Sequence, residues 1–148
     1  MEKKIRFGII GCSDIARRKT IPAILNSDQA TLHMLGSRSK EKAEQWAIEF
    51  NAKFSGSYDD VLENDEIDAV YISLPFGLQS EWVIKAANSK KHIICEKSVT
   101  TSFELAQSLL DSCKKNKIKI LEAFSFRFHP QHKKIHDLVK NNFSGFNT

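Results

Sequence analysis

Residues Ile5–Ala16 read I-R-F-G-I-I-G-C-S-D-I-A. The apolar residues Ile5, Phe7, Ile9 and Ile10 run up to Gly11, and a helix-starting pattern opens at Asp14. A buried strand that turns at a glycine into a helix aims the unpaired N–H groups of that helix, and the positive end of its dipole, into the turn. Such a turn attracts phosphate. The spacing is G-x-S-x-x-A where a dinucleotide fingerprint has G-x-G-x-x-G/A. Gly11 keeps the tight turn and Ala16 keeps the close helix–strand contact, while Ser13 replaces the glycine that lets a pyrophosphate approach the backbone. Alone the motif is weak, because edited glycine loops occur in folds that bind no nucleotide. Its weight comes from the surrounding chain.

The 148 residues suffice for one domain with a full core. An apolar content of 41% and a mean hydropathy of -0.34 are those of a soluble globular protein. No apolar run approaches the roughly 20 residues of a membrane span. Met1-Glu2-Lys3-Lys4 leads straight into the first predicted strand, so no signal peptide is expected. Cys12, Cys95 and Cys113 are odd in number, far apart and outside any C-x-x-C pair. They predict reduced thiols in the cytoplasm rather than a disulfide frame or a zinc site. A net charge of +4 and a pI near 9.0 would suit a polyanion. The basic clusters are short, however, and scattered over predicted helix faces and strand ends, so a solvated surface is expected, with neither nucleic acid nor membrane as a partner.

Hydrophobic periodicity predicts strands near 4–10, 31–36, 52–55, 68–74, 91–96 and 118–124. Helices are predicted near 14–26, 39–50, 58–63, 78–89, 101–116 and 130–141, with Pro22 forcing a kink or a fresh turn near Thr20. The strands D-A-V-Y-I-S-L and H-I-I-C are nearly continuous apolar runs, as in sheets covered on both faces. Phe103, Leu105, Ala106, Leu109, Leu110 and Cys113 are expected to form one core stripe of helix 101–116. The alternation predicts an α/β fold with a doubly wound parallel sheet, in which ligands bind at the carboxyl ends of the strands. Asn141–Thr148 is polar and expected to fray.

The second strand ends in Gly36-Ser37-Arg38-Ser39, with no acid to hold a ribose 2′-hydroxyl. Ser37 and Arg38 instead suit the 2′-phosphate of NADP, with NAD as the alternative. The bland alternative is that a serine here caps the next helix and Arg38 lies in solvent. Glu96-Lys97 closes the fifth strand. A lysine there can donate to a substrate oxygen as hydride moves, with Glu96 holding the ammonium, or the two can form an ordinary strand-end ion pair. Cys95 reads as a small buried hydrophobe rather than a nucleophile. Glu122–Pro130, E-A-F-S-F-R-F-H-P, combines a carboxylate, Arg127 and His129 with phenylalanines expected to be mostly core. Arg127 and His129 line a pocket or sit at a domain boundary. His132 and His136 have metal-ligand spacing but no third ligand nearby, so they are expected in solvent and no metal site is predicted.

Together G-I-I-G-C-S-D-I-A, S-R-S-K-E-K-A, D-A-V-Y-I-S-L-P, H-I-I-C-E-K and E-A-F-S-F-R-F-H-P-Q resemble the amino-terminal half of the glucose–fructose oxidoreductase, inositol dehydrogenase and rhizopine catabolism (Gfo/Idh/MocA) family. The resemblance runs from Ile5 to about Val139. It implies a Rossmann fold from a two-domain NAD(P)-dependent oxidoreductase of sugars, polyols or sugar nucleotides. The lysine of the family's E-K-P motif falls on Lys97, which carries over as the substrate-contacting, catalytic lysine. The expected cofactor contacts are Gly11, Cys12, Ser13, Asp14, Ile15, Ser37, Arg38, Leu74, Pro75, Glu96 and Arg127. Ser13, Ser98 (for the proline of E-K-P), Phe76 and Gln79 depart from the family pattern, the last two where a small polar residue and a histidine are usual. The chain is expected to be one cofactor domain over 1–148, with about 130–148 starting the connection to a substrate domain that is absent. By itself it is then expected to be inactive and to expose an apolar patch around Phe124, Phe126 and Phe128 that favours self-association. A non-catalytic nucleotide-binding or regulatory module is the rival reading.

Overall fold

Strands β1 (Ile5–Ile10), β2 (Ala30–Gly36), β3 (Phe54–Gly56), β4 (Ala69–Ile72), β5 (His92–Cys95) and β6 (Ile120–Glu122) form one parallel sheet in the order β3-β2-β1-β4-β5-β6. This arrangement comes from a computed structural model that describes residues 3–141. The chain winds outward from β1 to β3, then returns to β4 and winds the other way. The reversal opens a crevice between the carboxyl ends of β1 and β4, where doubly wound sheets bind ligands. Alternation along each strand divides the core in two. Ile10, Val70, Ile72, Ile93 and Cys95 pack on one face with α3 (Tyr58–Glu63), α4 (Phe76–Asn88) and α5 (Phe103–Lys115). Ile9, Leu35 and Tyr71 pack on the other with α1 (Ile21–Leu25) and Trp46 of α2 (Lys40–Glu49).

The helices start where the sequence supplies acceptors for their first N–H groups. Ser39 accepts from Lys42 N at 3.2 Å, Ser102 from Leu105 N at 3.2 Å, and Ser57 forms a reciprocal capping box with Asp60. The first helix is irregular. Ala16–Thr20 is a π-helical turn, and α1 begins after it with Pro22 in its first turn. Proline has no N–H and crowds the preceding turn, so a widened turn just before it accommodates the ring.

Several sequence expectations need correction. β4 and β6 end earlier than the apolar runs, which leaves Ser73, Leu74 and Ala123 in loops, and α4 begins at Phe76. Helix α5 buries only Leu109 and Cys113, while Phe103 is 78% and Leu110 43% exposed. Its packing is mainly along α4 and the nearby sheet edge, so its apolar stripe is wider than its contact. The phenylalanines after β6 are not core. Phe126 and Phe128 are exposed on a 3₁₀ turn, Ser125–Phe128, and Phe124 is half-buried. Every residue of α6 (Pro130–Lys140) is exposed. The fraying expected for Asn141–Thr148 lies, from residue 142 on, outside the described residues.

A hollow of about 670 Å³ lies where the α1/α2 face runs out, lined by Ile5, Phe7, Ile94 and Leu121 among others. It opens toward the amino ends of the strands, away from the loops that carry polar chemistry. The start of β4 is fastened to β1 by a two-pronged contact: Arg6 Nε donates to Asp68 Oδ2 at 2.9 Å and Nη2 to Oδ1 at 3.0 Å, with the Arg6 backbone N–H on Oδ2 at 2.9 Å. The Arg6 side chain, despite a desolvation penalty, holds the Asp68 carboxyl well below the ordinary carboxylate range. A carboxyl with a lowered folded-state pKa stabilises above its unfolded pKa, near 3.9, and that contribution fades as pH falls through the folded value. Asp68→Asn is therefore expected to destabilise by about 1–2 kcal/mol at pH 7. The gap from the parent chain should shrink as urea unfolding is repeated from pH 5 towards pH 2; a pH-independent gap would assign the loss to packing.

Candidate functional site

The crevice is built on Gly11. Its φ is +102°, and a Cβ there would lie 2.8 Å from Leu74 Cδ2 and 2.9 Å from the Ser73 carbonyl oxygen. Only glycine combines that backbone with that closeness. Gly11 N donates to Gly36 O at 3.1 Å, and its own carbonyl accepts from Ser73 Oγ at 2.8 Å and Ser13 N at 3.0 Å. The loops after β1, β2 and β4 are thereby tied together. Ser13 Oγ accepts from Ala16 N at 3.2 Å and so closes the start of the helix. Asp14 is exposed and pairs with Arg18 at 2.9 Å, and Ile15 is exposed at the crevice edge. Cys12 is half-buried, and burial pushes its thiol up against the opposing charge of Lys42.

At the end of β2, Ser37 is buried; its N–H donates to Gly56 O at 3.0 Å and its Oγ accepts from Ser39 N at 3.2 Å. The bland alternative holds for Ser39, which caps α2. Arg38 is exposed at the rim, and its charge opposes the burial that pushes the neighbouring Tyr58 phenol up. Lys42 Nζ donates to Cys12 O at 2.8 Å. Sequence reasoning missed Lys42, in the first turn of α2, although S-R-S-K-E-K shows a basic residue at the reach needed to return to the glycine loop.

Towards β5 the crevice widens into two hollows of about 360 and 510 Å³ that share Ile15, Glu96 and Lys97. Ser13, Ser73, Leu74 and Pro75 line the first, and Thr20, Tyr71 and Phe124 the second. Glu96 does not hold the Lys97 ammonium. Instead Tyr71 OH donates to Glu96 Oε1 at 2.6 Å, and burial followed by this bond raises the Tyr71 phenol far above its ordinary value. Lys97 is exposed and enters no ion pair among the described residues. The Lys97–Ser98 peptide bond is cis. The loop beyond is held by Glu122 Oε1, which accepts from Val99 N at 3.0 Å, and by Ser80 Oγ, which donates to Val99 O at 2.7 Å. Gln79, on the first turn of α4, donates Nε2 to Leu74 O at 3.0 Å, and its buried Oε1 has no partner. An unmet buried acceptor costs about 1–3 kcal/mol.

Arg127 stands apart. It is exposed on the 3₁₀ turn and lines neither hollow. His129 caps α6 by accepting from Gln131 N at 3.2 Å, and His132 and His136 are exposed. No group of three metal-ligating side chains occurs among the described residues, and no helix there is long and apolar enough to cross a membrane. Cys95 is buried and its thiol is pushed up to about 12 by burial, so it is no nucleophile.

Residues 5–124 match the model of the Gfo/Idh/MocA family, described as an oxidoreductase family with an NAD-binding Rossmann fold. The chain belongs to that family. It is 34% identical over 135 residues to a dTDP-3,4-didehydro-2,6-dideoxy-alpha-D-glucose 3-reductase of Actinomadura kijaniata, covering 91% of this chain and 41% of that protein. It is 37% identical to D-xylose 1-dehydrogenase (NADP(+)) 2 of Haloferax volcanii, covering 90% and 41%. The crystal structure of KijD10, a 3-ketoreductase from A. kijaniata in complex with NADP and TDP-benzene, superposes with a TM-score of 0.89 at 33% identity, covering 94% of this chain and 43% of that one. The chain thus spans about two fifths of the length of these relatives.

Gly11→Ala is expected to destabilise the fold by about 1–3 kcal/mol, since alanine would meet both the positive φ and the Ser73 carbonyl. Equilibrium unfolding measures this, and an unchanged midpoint would mean the turn relaxes without strain.

Proposed function

We propose that residues 1–148 are an NADP(H)-binding domain, with NAD(H) bound less well, of an oxidoreductase that moves a hydride between the dinucleotide and a sugar, polyol or sugar nucleotide. Residues from about 130 onward would begin the connection to a substrate domain. The observation that carries this reading is the closed Gly11 turn with cations at its adenosine end and Lys97 at the other. The relatives' activities and the NADP held by KijD10 support it.

The residues fit such a cofactor. The left-handed turn at Gly11 brings the start of the following helix to the crevice, where its backbone N–H groups would face a pyrophosphate. Cys12, Ser13, Asp14 and Ile15 would border it. Ser37, Arg38 and Lys42 would hold the 2′-phosphate, with Arg38 able to turn onto it from the rim. Ile15, Leu74, Pro75 and Glu96 would border the nicotinamide, and Arg127 would reach it only by moving from its turn. The bound dinucleotide supplies hydride donation and acceptance. Lys97 would orient the substrate oxygen by donating to it, and would hold or release a proton there as charge changes. Glu96, engaged by Tyr71, leaves that ammonium free to act.

The exposure of Lys97 favours the second reading, a non-catalytic nucleotide-binding module, for these residues alone. An open strand-end face neither excludes water nor holds reacting carbons within roughly 3–3.5 Å. No turnover with sugars is therefore expected from residues 1–148 by themselves. The exposed Phe126 and Phe128 would favour self-association.

Titration of NADPH fluorescence tests the binding. Arg38→Ala should weaken NADPH more than NADH by about 1–3 kcal/mol. Equal losses would remove the 2′-phosphate assignment, and absence of binding up to millimolar dinucleotide would overturn the reading. Any turnover that disappears in Lys97→Ala would show that the isolated residues suffice for catalysis.

A further inference from the structure

We propose that Tyr71 is a positioning residue for Lys97: its phenol holds the Glu96 carboxylate by one oxygen, and without that hold Glu96 pairs with the neighbouring ammonium. This deepens the function proposed above, on which the role of Lys97 rests, and gives a task to a side chain of the central sheet.

Tyr71 is 1% exposed, and among the largest fully buried side chains it alone carries a hydroxyl. Phenylalanine would fill the same space in the apolar run of β4, so packing by itself does not call for the phenol. What the hydroxyl does is reach Glu96: it donates to Oε1 at 2.6 Å, a short, charge-assisted bond.

Sheet register brings the two together. Tyr71 of β4 lies beside Ile94 of β5, and Glu96 N donates to Ile72 O at 2.9 Å, so Glu96, two residues past Ile94, shares that face of the sheet. Glu96 also borders both crevice hollows together with Lys97, its neighbour in the chain. A four-carbon stem lets a lysine turn to an adjacent carboxylate, yet no ion pair joins these two. The phenol is the competitor that accounts for it. Its ring is fixed in the core and loses little freedom on bonding, whereas an exposed ion pair must order a long side chain and gains little in return. Lys19 and Thr20 line the wider hollow too, and are the other groups to which a released Glu96 would turn.

Lysine acylation with acetic anhydride tests this on the unliganded chain, the rate at each lysine being read by peptide mass spectrometry. An amine held as an ammonium by a carboxylate acylates more slowly than a free one. Tyr71→Phe should slow Lys97 about two- to five-fold, the strength of an exposed ion pair, and leave the distant Lys114 and Lys115 unchanged. Adding Glu96→Gln to that variant should restore the parent rate. If the phenol only supported the fold, its loss would loosen the chain and speed the labelling of many lysines together, which would overturn the inference. So would an unchanged Lys97, or slowing of Lys19 in its place. Glu96→Gln alone decides the matter even if the phenylalanine variant fails to fold: Lys97 should stay within about two-fold of the parent, and a marked acceleration would show that Glu96 already pairs with it. Titration of the parent chain with NADPH keeps the two readings apart. Absence of binding beside a slowed Lys97 would overturn the proposed function and leave the positioning by Tyr71 standing, whereas an unchanged Lys97 in a chain that binds NADPH would overturn this inference alone.

Discussion

The left-handed backbone of Gly11 is the constraint on which the site depends. At φ +102° the chain leaves β1 and doubles back closely enough for Ser73 Oγ to reach the Gly11 carbonyl at 2.8 Å. That bond, together with Ser73 N donating to Ile10 O at 3.0 Å, joins the ends of β1 and β4, the two strands between which the winding reverses. A side chain at position 11 would push against both Leu74 and Ser73, and would part the loops. Gly36 repeats the principle one strand over, where a Cβ would lie 2.7 Å from Val61 Cγ2 and 3.0 Å from the Ile9 carbonyl. The crevice is narrow because two glycines permit its walls to touch.

Electrostatics then divide the crevice. At the β2 end, Lys42 reaches the Cys12 carbonyl and Arg38 lies exposed at the rim beside Tyr58, so that end concentrates positive charge next to the loop. At the β5 end, the carboxylate that adjoins Lys97 in sequence is turned inward to Tyr71. A buried phenol that donates its proton to a carboxylate stays protonated, so the pair is fixed and Lys97 is left unneutralised. An ion pair between Glu96 and Lys97 would have tied up the cation that the two hollows share.

Much of this was legible in the residues. The G-x-S-x-x-A turn, the alternation of strands and helices, the serine caps and the absence of an acid after β2 all act locally, within a few residues, and local patterns fix them. What escaped depended on distant contacts. Nothing in E-K indicates that Glu96 faces Tyr71, which lies 25 residues earlier. A tyrosine inside the otherwise apolar run D-A-V-Y-I-S was still a signal, since a buried phenol needs an acceptor. The helix 101–116 stripe was over-read because periodicity reports which residues share a face, and only packing decides how much of that face is covered. Alternating positions suggest that the phenylalanines after β6 are mostly core, whereas the 3₁₀ turn at Ser125–Phe128 breaks the alternation and leaves Phe126 and Phe128 in the exposed patch expected for an uncovered face.

Cavity size and chemical content also part company. The hollow of about 670 Å³ over Ile5, Phe7, Ile94 and Leu121 exists because helices cover only the β1–β2 side of that face, and its walls are mostly apolar. The crevice hollows are smaller, yet they collect the loop termini, where backbone groups not consumed by the sheet and polar side chains not needed for packing converge. In a parallel sheet every strand delivers such a terminus to the same edge, so polar groups gather there by topology before any selection for a ligand. What distinguishes this edge from a generic one is that its polar groups are almost all committed to one another. Ser13, Ser73, Glu96 and Glu122 each have a partner within the protein. The exposed groups left over, Arg38 and Lys97 at the rim, are consequently the ones a ligand would meet. Their separation, two cations flanking an apolar-walled interior, fits an elongated ligand with charge at one end and a flat ring near the other.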